Sequence, residues 1–569
     1  MPTVRSLLEE RLRAALDALS LDSSVAEVTS AADSRFGDYQ SNAAMVLAKR
    51  ERKNPRELGQ AIVEKIDLSG LAEPATLAGA GFLNFRLTAG FLNDAAAAQL
   101  SDERCGLAPA LRPETIIIDF SSPNVAKPMH VGHIRSTIIG DCLARVARFL
   151  GHHVVTDNHV GDWGTQFGKV IYGWKHLLDL AALERDPIPE LLRLYRDVNS
   201  LEETDETVRH DVREELVQLQ RGDAESLAIW RHVVALSWRE FEKIYALLDV
   251  TFDERLGESF YNDRLAPLCE KLERDGIARI SEGALCVFFP EIPQLADRPC
   301  LVRKSDGGFL YATTDLATIA YRMERWQPDA IWYVTGAPQA LHFQQIFEVA
   351  RRMGVTVNAQ HVAFGSILGE NRKIMKTRSG ENVQLGDVLR EAVERARAII
   401  AEKNPELPAE ESEAIARDVG IGAVKYAELS QHRMTDYVFS WDKMLSFQGN
   451  TAPYLQNAYV RIRSIFRKAG TDDISHAELL IAEPAERALA IKLLQFAETV
   501  PLVLADFRPN LLANYLYELA TTFHSFYEAC PVLKADGGTR ASRHALCGLT
   551  ARTLRTGLDL LGIHCPERM

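Results

Sequence analysis

Eight cysteines in 569 residues leave no C-x-x-C pair and no Cys/His cluster at zinc spacing. Cys105, Cys142, Cys269, Cys286, Cys300, Cys530, Cys547 and Cys565 therefore read as scattered, reduced packing residues, and neither a disulfide scaffold nor a structural zinc is expected. No apolar run approaches the ~20 residues that span a bilayer, so no membrane partner is expected. Basic charge is not in excess: 65 Lys and Arg stand against 78 Asp and Glu, a net charge of −13 that argues against a uniformly polyanion-binding surface. Internal repeats and low-complexity tracts are lacking too. At the N-terminus Val4, Leu7, Leu8, Leu12, Leu16 and Leu19 recur at helical spacing, but Glu9, Glu10 and Asp17 lie among them. Transit peptides avoid acids and signal peptides need an unbroken apolar stretch, so a cytoplasmic location is expected.

What is present is a large, ordinary globular composition, 47% hydrophobic and 25% charged, which at ~150 residues per domain asks for three or four domains. The charge is uneven. Residues 1–110 carry 12 basic and 15 acidic side chains, residues 450–569 carry 13 and 12, and the middle holds 40 and 51. A nucleic acid would meet the two ends more readily than the average surface.

The first ~110 residues, a helix, a second helical run around Asn42 to Lys65 and an apolar strand within Ala80 to Leu87, predict an α+β domain. The loop Gly106 to Pro113 closes it. Thr115 to Phe120 (TIIIDF) is a short β-branched run of the kind a buried parallel strand needs. Ile134, Ile138, Cys142, Val146 and Leu150 then recur every four residues as a helix ended by Gly151, and His153 to Thr156 returns as a strand. Strand, helix and strand in about 45 residues make a βαβ unit, which predicts a Rossmann-like, doubly wound parallel-sheet core over 111–448. A helical insertion at about 174–250 interrupts it. The α/β pattern resumes with a strand at Ala330 to Thr335 and helices at Leu341 to Met353 and Leu385 to Lys403. From 449 to 569 the pattern is helical almost to the end, predicting an all-α domain.

The loop of the βαβ unit, S-S-P-N-V-A-K-P-M-H-V-G-H, supplies His130, Gly132 and His133 at a helix entrance instead of a G-x-G-x-x-G phosphate cradle. Two imidazoles three apart beside a helix N-terminus suit hydrogen bonds to nucleotide phosphates, and glycine lets a flat purine approach the backbone. The same pair also reads as two metal ligands or two capping histidines. Trp163, between two glycine turns, reads as a packing anchor.

H-V-G-H resembles the HIGH motif of class I aminoacyl-tRNA synthetases. The ~20 residues from Ser121 to Asp141, together with Asn158 to Gly168 (NHVGDWGTQFG), Tyr454 to Arg461 and the terminal P-E-R-M, resemble the arginyl-tRNA synthetase family along the whole chain. The resemblance implies ATP-dependent ligation of L-arginine to its tRNA through an adenylate, with Mg²⁺ arriving on ATP and the enzyme acting as a monomer. It implies an ATP site at His130, Gly132, His133, Met375 and Lys376, with Lys127, Lys376 and Arg378 as charge donors beside the two histidines. The second lysine of the class's KMSKS loop falls here on Thr377, and Lys376 or Arg378 from that loop, or Lys127 from the other side, are the candidates to replace it. Arginine is expected to be held by Asp119 and Asn124 at its polar end and by Tyr311 and Asp315 at its guanidinium, which wants planar carboxylates and carbonyls, with Gln339 completing the pocket. Asp119 and Asp315 also read as caps and Gln339 as a turn residue. The terminal domain implies tRNA contacts at Tyr454, Tyr459, Arg461 and Met569, although core packing is an equal reading of both tyrosines. Adenylate formation is expected to need bound tRNA. A shorter nucleotidyltransferase of the same superfamily and a non-catalytic tRNA-binding paralogue are the alternatives.

Overall fold

The computed structural model describes residues 2–31, 33–369, 373, 383–471, 473–474 and 477–569. Met375, Lys376, Thr377 and Arg378 lie outside the described residues. Contacts divide the chain into two compact units. One comprises Ala110–Lys403 and Gly420–Met444, the other Met1–Pro109, Asn404–Val419 and Leu445–Met569.

The first unit is built on a four-stranded parallel sheet, in the order Asn358–His361, Ala330–Val334, Thr115–Phe120, His153–Asp157. The two central strands are apolar on both faces because helices cover both, as parallel sheets require. Helix His133–Phe149 lies so close that a Cβ on Gly140 would stand 2.2 Å from Cγ of Phe120, which only glycine permits. Chain leaves Thr115–Phe120 toward one edge of the sheet and Ala330–Val334 toward the other. The crevice between their C-terminal ends is the switch point where such sheets bind ligands.

The expected insertion is a run of helices from Gln166–His176 to Ala224–Leu248. Two features without a strong sequence signal follow it. Arg279–Ser281, Ala284–Val287 and Cys300–Arg303 form an antiparallel sheet, and Tyr311–Trp326 is a helix. Strands of three or four residues carry too few alternations to read as period two.

In the second unit an antiparallel sheet, ordered Thr29–Ser30, Tyr39–Ser41, Phe82–Phe85, Thr76–Ala78, packs with helices Val4–Ala18, Ala43–Glu51 and Pro55–Lys65. The helical run expected between Asn42 and Lys65 is thus two helices, broken before Pro55, whose ring disfavours the helical conformation of the preceding residue. Five helices from Ala452–Ala469 to Gly537–Leu560 form the C-terminal part. Buried polar bonds join the N-terminal segment to these helices: Tyr39 donates to Glu498 at 3.0 Å and Gln99 to the Leu493 carbonyl at 2.9 Å. Within Pro484–Ala505 an 18-residue window has a mean hydropathy of 1.6, long and apolar enough by length and composition to cross a membrane, contrary to the expectation from composition. Half of it is buried in this unit, where its Glu498 also takes the Arg5 amide.

Candidate active site

The loop leaving Thr115–Phe120 is strained. Ser121, Ser122 and Ala126 have φ of +74°, +47° and +63°, a region that side-chain-bearing residues rarely occupy. Each strained amide is held by a neighbouring side chain: Ser121 N donates to Ser136 Oγ, Ser122 N to Asn158 Oδ1 and Ala126 N to Ser237 Oγ. The motif N-H-V-G-D-W-G completes the clamp. Asn158 also donates to Tyr245, and Val125 N donates to the Gly161 carbonyl while Gly161 N donates to Pro123 O. Trp163 packs edge-on against Trp230, as its position between glycines suggested.

At the end of this loop the His130 and His133 rings lie tilted against each other at 34° with centroids 3.9 Å apart. Nδ1 of His130 accepts from Gly132 N at 3.0 Å, and Nδ1 of His133 accepts from His130 N at 3.1 Å. With both Nδ1 atoms accepting, the proton of each neutral ring is assigned to Nε2, which makes that atom a donor. Burial lowers both pKa values, that of His133 to about 3 with His130 adding to the effect. The pair therefore consists of neutral donors beside the helix N-terminus. Among the described residues no group of three His, Cys, Asp or Glu is gathered as a metal site. A Cβ on Gly132 would lie 2.8 Å from the His130 ring, so the fold of the ring over the backbone requires glycine. Val131 N donates to the Val383 carbonyl and Leu385 N to that of Met129, which ties residues 383–385 to the turn. Lys127 stands 4.6 Å from the Tyr195 ring centroid, a cation–π contact with the helical insertion.

Across the crevice lies a second group, rich in carboxylates. Asp119 is buried and receives Nη2 of Arg322 at 2.6 Å, and the same nitrogen reaches Asp157 at 2.7 Å. Asp315 pairs with His342 Nε2 at 2.5 Å. Tyr311, one helical turn before Asp315, is 71% exposed, and Gln339 is exposed at the start of helix Ala340–Arg352. Asn124 is exposed, its Oδ1 lying over Gly161. Burial disfavours the charge of His159, but Asp119, Asp315 and Asp157 together raise its pKa. Burial raises Glu258 to about 7, with His159 opposing and Asp162 and Asp315 adding to the shift. Arg322, Asp157, His159 and Glu258 were not singled out from sequence. Glu258 stands alone in R-L-G-E-S-F-Y with no motif around it. Asp157, by contrast, ends the second strand as Asp119 ends the first, a parallel that was readable.

In the second unit, helix Ala452–Ala469 carries Tyr454 against Tyr517 and His524, with ring centroids 5.6 and 5.2 Å away. Arg461 donates to His524 Nδ1 and lies over Tyr527. Arg461 and Met569 line one cavity of about 750 Å³ together with Arg467, Lys468, Lys534 and Arg568. Tyr459 is only 3% exposed and donates to Glu567, so it holds the terminal tail and the packing reading applies to it.

Three family models match the chain: the catalytic domain of class I tRNA synthetases (R) over residues 97–441, the DALR anticodon-binding domain over 455–569, and the arginyl-tRNA synthetase N-terminal domain over 6–87. An arginine–tRNA ligase of Thermobifida fusca is 48% identical over 551 residues, covering 94% of each chain. One of Chromobacterium violaceum is 45% identical and covers both chains fully. The crystal structure of arginyl-tRNA synthetase from Plasmodium falciparum aligns over the full length of both chains with a TM-score of 0.86 at 28% identity. With family models along nearly the whole chain and relatives of this identity at this coverage, the chain belongs to the arginyl-tRNA synthetase family of class I tRNA synthetases.

Proposed function

We propose that this protein joins L-arginine to its tRNA, with ATP cleaved to AMP and pyrophosphate. The observation that carries the reading is the separation of charge across the crevice: neutral Nε2–H donors of His130 and His133 on one side, the carboxylates of Asp119, Asp315 and Glu258 on the other. A polyanion and an amino acid with two cationic groups, bound at once, need these two environments. The arginine carboxylate attacks the α-phosphorus of ATP and pyrophosphate leaves. A ribose hydroxyl of the tRNA then attacks the carbonyl carbon of the adenylate, and AMP leaves.

No protein nucleophile takes part, so the residues act by position and electrostatics. His130 and His133 donate to phosphate oxygens as charge develops on them, helped by the helix N-terminus that Gly132 caps. Lys127 adds a positive charge from the same loop. Asp315 and Tyr311 meet the guanidinium with Gln339 beside them, Glu258 supplies a further carboxylate, and Asp119 and Asn124 take the amino end. Mg²⁺ accompanies the ATP phosphates as part of that substrate. Arg461, Met569 and the cations of their cavity contact tRNA in the second unit, with Tyr454 beside them. The test is aminoacylation of bulk tRNA with each of the twenty amino acids. Charging by arginine alone is expected, and charging by any other amino acid refutes the reading.

A further inference from the structure

Asp157 pairs in register with Asp119, and Asp119 with Tyr333, across three neighbouring parallel strands. Residues in register point to the same face of a parallel sheet, about 4.8 Å apart from strand to strand. The sheet therefore carries two carboxylates as direct neighbours on the floor of the arginine pocket. Like charges this close repel each other unless a cation intervenes.

The cation comes from helix Tyr311–Trp326. Tyr311, Asp315 and Arg322 are spaced by four and seven residues and so fall on one face of it. Two of them are pocket residues, and the third reaches under the floor. Arg322 is fully buried, and its Nη2 alone donates to both Asp119 Oδ2 and Asp157 Oδ2. Its guanidinium stands 5.4 Å from the Tyr333 ring centroid. Burial works against its charge, but Asp119, Tyr333 and Asp157 hold its pKa well above the ordinary value. Among the described residues, His159, Tyr261 and Asp315 are further titratable groups around the pair; burial pushes both Tyr261 and Tyr333 up, so they stay neutral.

A buried ion cluster is a weak device for stability, since apolar replacements of similar volume often match it. Its effect on Asp119 is more specific. Oδ2 is fixed by Arg322, while Oδ1 accepts, among the described residues, from Ser122 Oγ at 3.2 Å, at the start of the loop that leads to the histidines.

We propose that Arg322 is a positioning residue for amino-acid binding, which offsets the like charge of Asp157 and fixes Asp119 Oδ2 so that Asp119 receives the α-ammonium group of arginine. The proposal rests on the reading that Asp119 holds that group. Without Arg322, Asp119 and Asp157 repel each other with no cation between them, and the ammonium loses the aim of its partner. Taking the charge off Asp157 as well returns the pair to one negative charge without any cation.

The test compares Arg322→Met, Arg322→Met/Asp157→Asn and Asp119→Asn with wild type, measuring kcat and KM for arginine and KM for ATP. Arg322→Met is expected to raise the arginine KM roughly 10- to 100-fold, the scale of one charged contact, with the ATP KM nearly unchanged. The double variant is expected to recover most of the loss, which a purely structural role would not produce. An arginine KM within about threefold of wild type in Arg322→Met, or a double variant no better than the single one, overturns the proposal. If Arg322→Met does not fold, Arg322→Lys carries the test: it retains the charge and must keep the arginine KM within about threefold of wild type, and a larger rise overturns the proposal. Asp119→Asn separates the two levels. An unchanged arginine KM in that variant refutes the role of Asp119 itself, whereas a raised KM there with no rescue in the double variant refutes only the proposal.

Discussion

Glu258 offers a test of the arginine pocket through the titration of its own carboxyl. Its carboxyl is raised to about 7 by burial, with Asp162 and Asp315 adding to the shift against the opposing His159. A guanidinium stays charged at any relevant pH and favours the ionised carboxylate. Below pH 7 the free protein must therefore lose a proton from Glu258 to bind arginine, and affinity falls by about tenfold between about pH 8 and about pH 6 on that account alone. Glu258→Gln keeps the shape and removes the titration. It should flatten the pH profile of arginine affinity by about one log unit, and weaken binding at about pH 8 by roughly 10- to 100-fold for the lost charged partner. Calorimetric titration of the protein with arginine alone isolates the step from catalysis. Stability gives a second reading. An acid whose folded pKa is raised binds more protons folded than unfolded between about 4.5 and about 7, so its contribution falls as pH rises through that window. Glu258→Gln should thus be more stable than wild type at about pH 8, by about 1–3 kcal/mol after allowing for partial exposure, and closely similar at about pH 4. A variant with the full wild-type pH slope of arginine affinity would show that Glu258 lies outside the pocket.

Asp315→Asn should raise the KM for arginine roughly 10- to 100-fold while leaving that for ATP within about twofold, and an unchanged arginine KM would remove Asp315 from the pocket. Gly132→Ala forces a Cβ to 2.8 Å from the His130 ring and so displaces the imidazole. Pyrophosphate exchange should fall by ~100-fold with little change in arginine affinity, and normal exchange would mean that the ring position is immaterial. Exchange is expected to be negligible without tRNA. With tRNA, Lys127→Ala should lower it by ~100-fold or more, and a value within about threefold of wild type would defeat the charge assigned to Lys127.

Much of this was legible because local rules and global fold agree. T-I-I-I-D-F is a strand in any context that covers both faces, and the four-residue apolar spacing after His133 became a helix with 13 buried positions. The H-V-G-H turn was readable for the same reason, since strand, loop and helix are contiguous. The acidic side of the pocket was harder. Asp119, Asp157, Glu258 and Arg322 are separated by up to 203 residues and meet only through sheet register and helix phase. A lone Glu258 in a short helix has no periodicity to betray it. Tyr459 shows the converse, for a residue inside a matched motif proved to be buried, because a helix has an inner face whatever its family.

The two sides of the crevice also differ in how their charge is set. On the histidine side, neutrality comes from backbone amides: Gly132 N and His130 N occupy both Nδ1 atoms and turn each Nε2 outward as a donor. A cationic pair would bind phosphate more tightly in the ground state, yet catalysis gains only from contacts that strengthen in the transition state. Neutral donors, fixed before the substrate arrives, respond to charge as it develops and release pyrophosphate afterwards. On the carboxylate side the requirement is reversed, because arginine carries its positive charge before, during and after the reaction. Permanent counter-charges serve there, and the cost is the mutual repulsion of Asp119 and Asp157, which Arg322 offsets from below. The same crevice thus needs neutral, oriented donors for charge that appears and fixed anions for charge that persists.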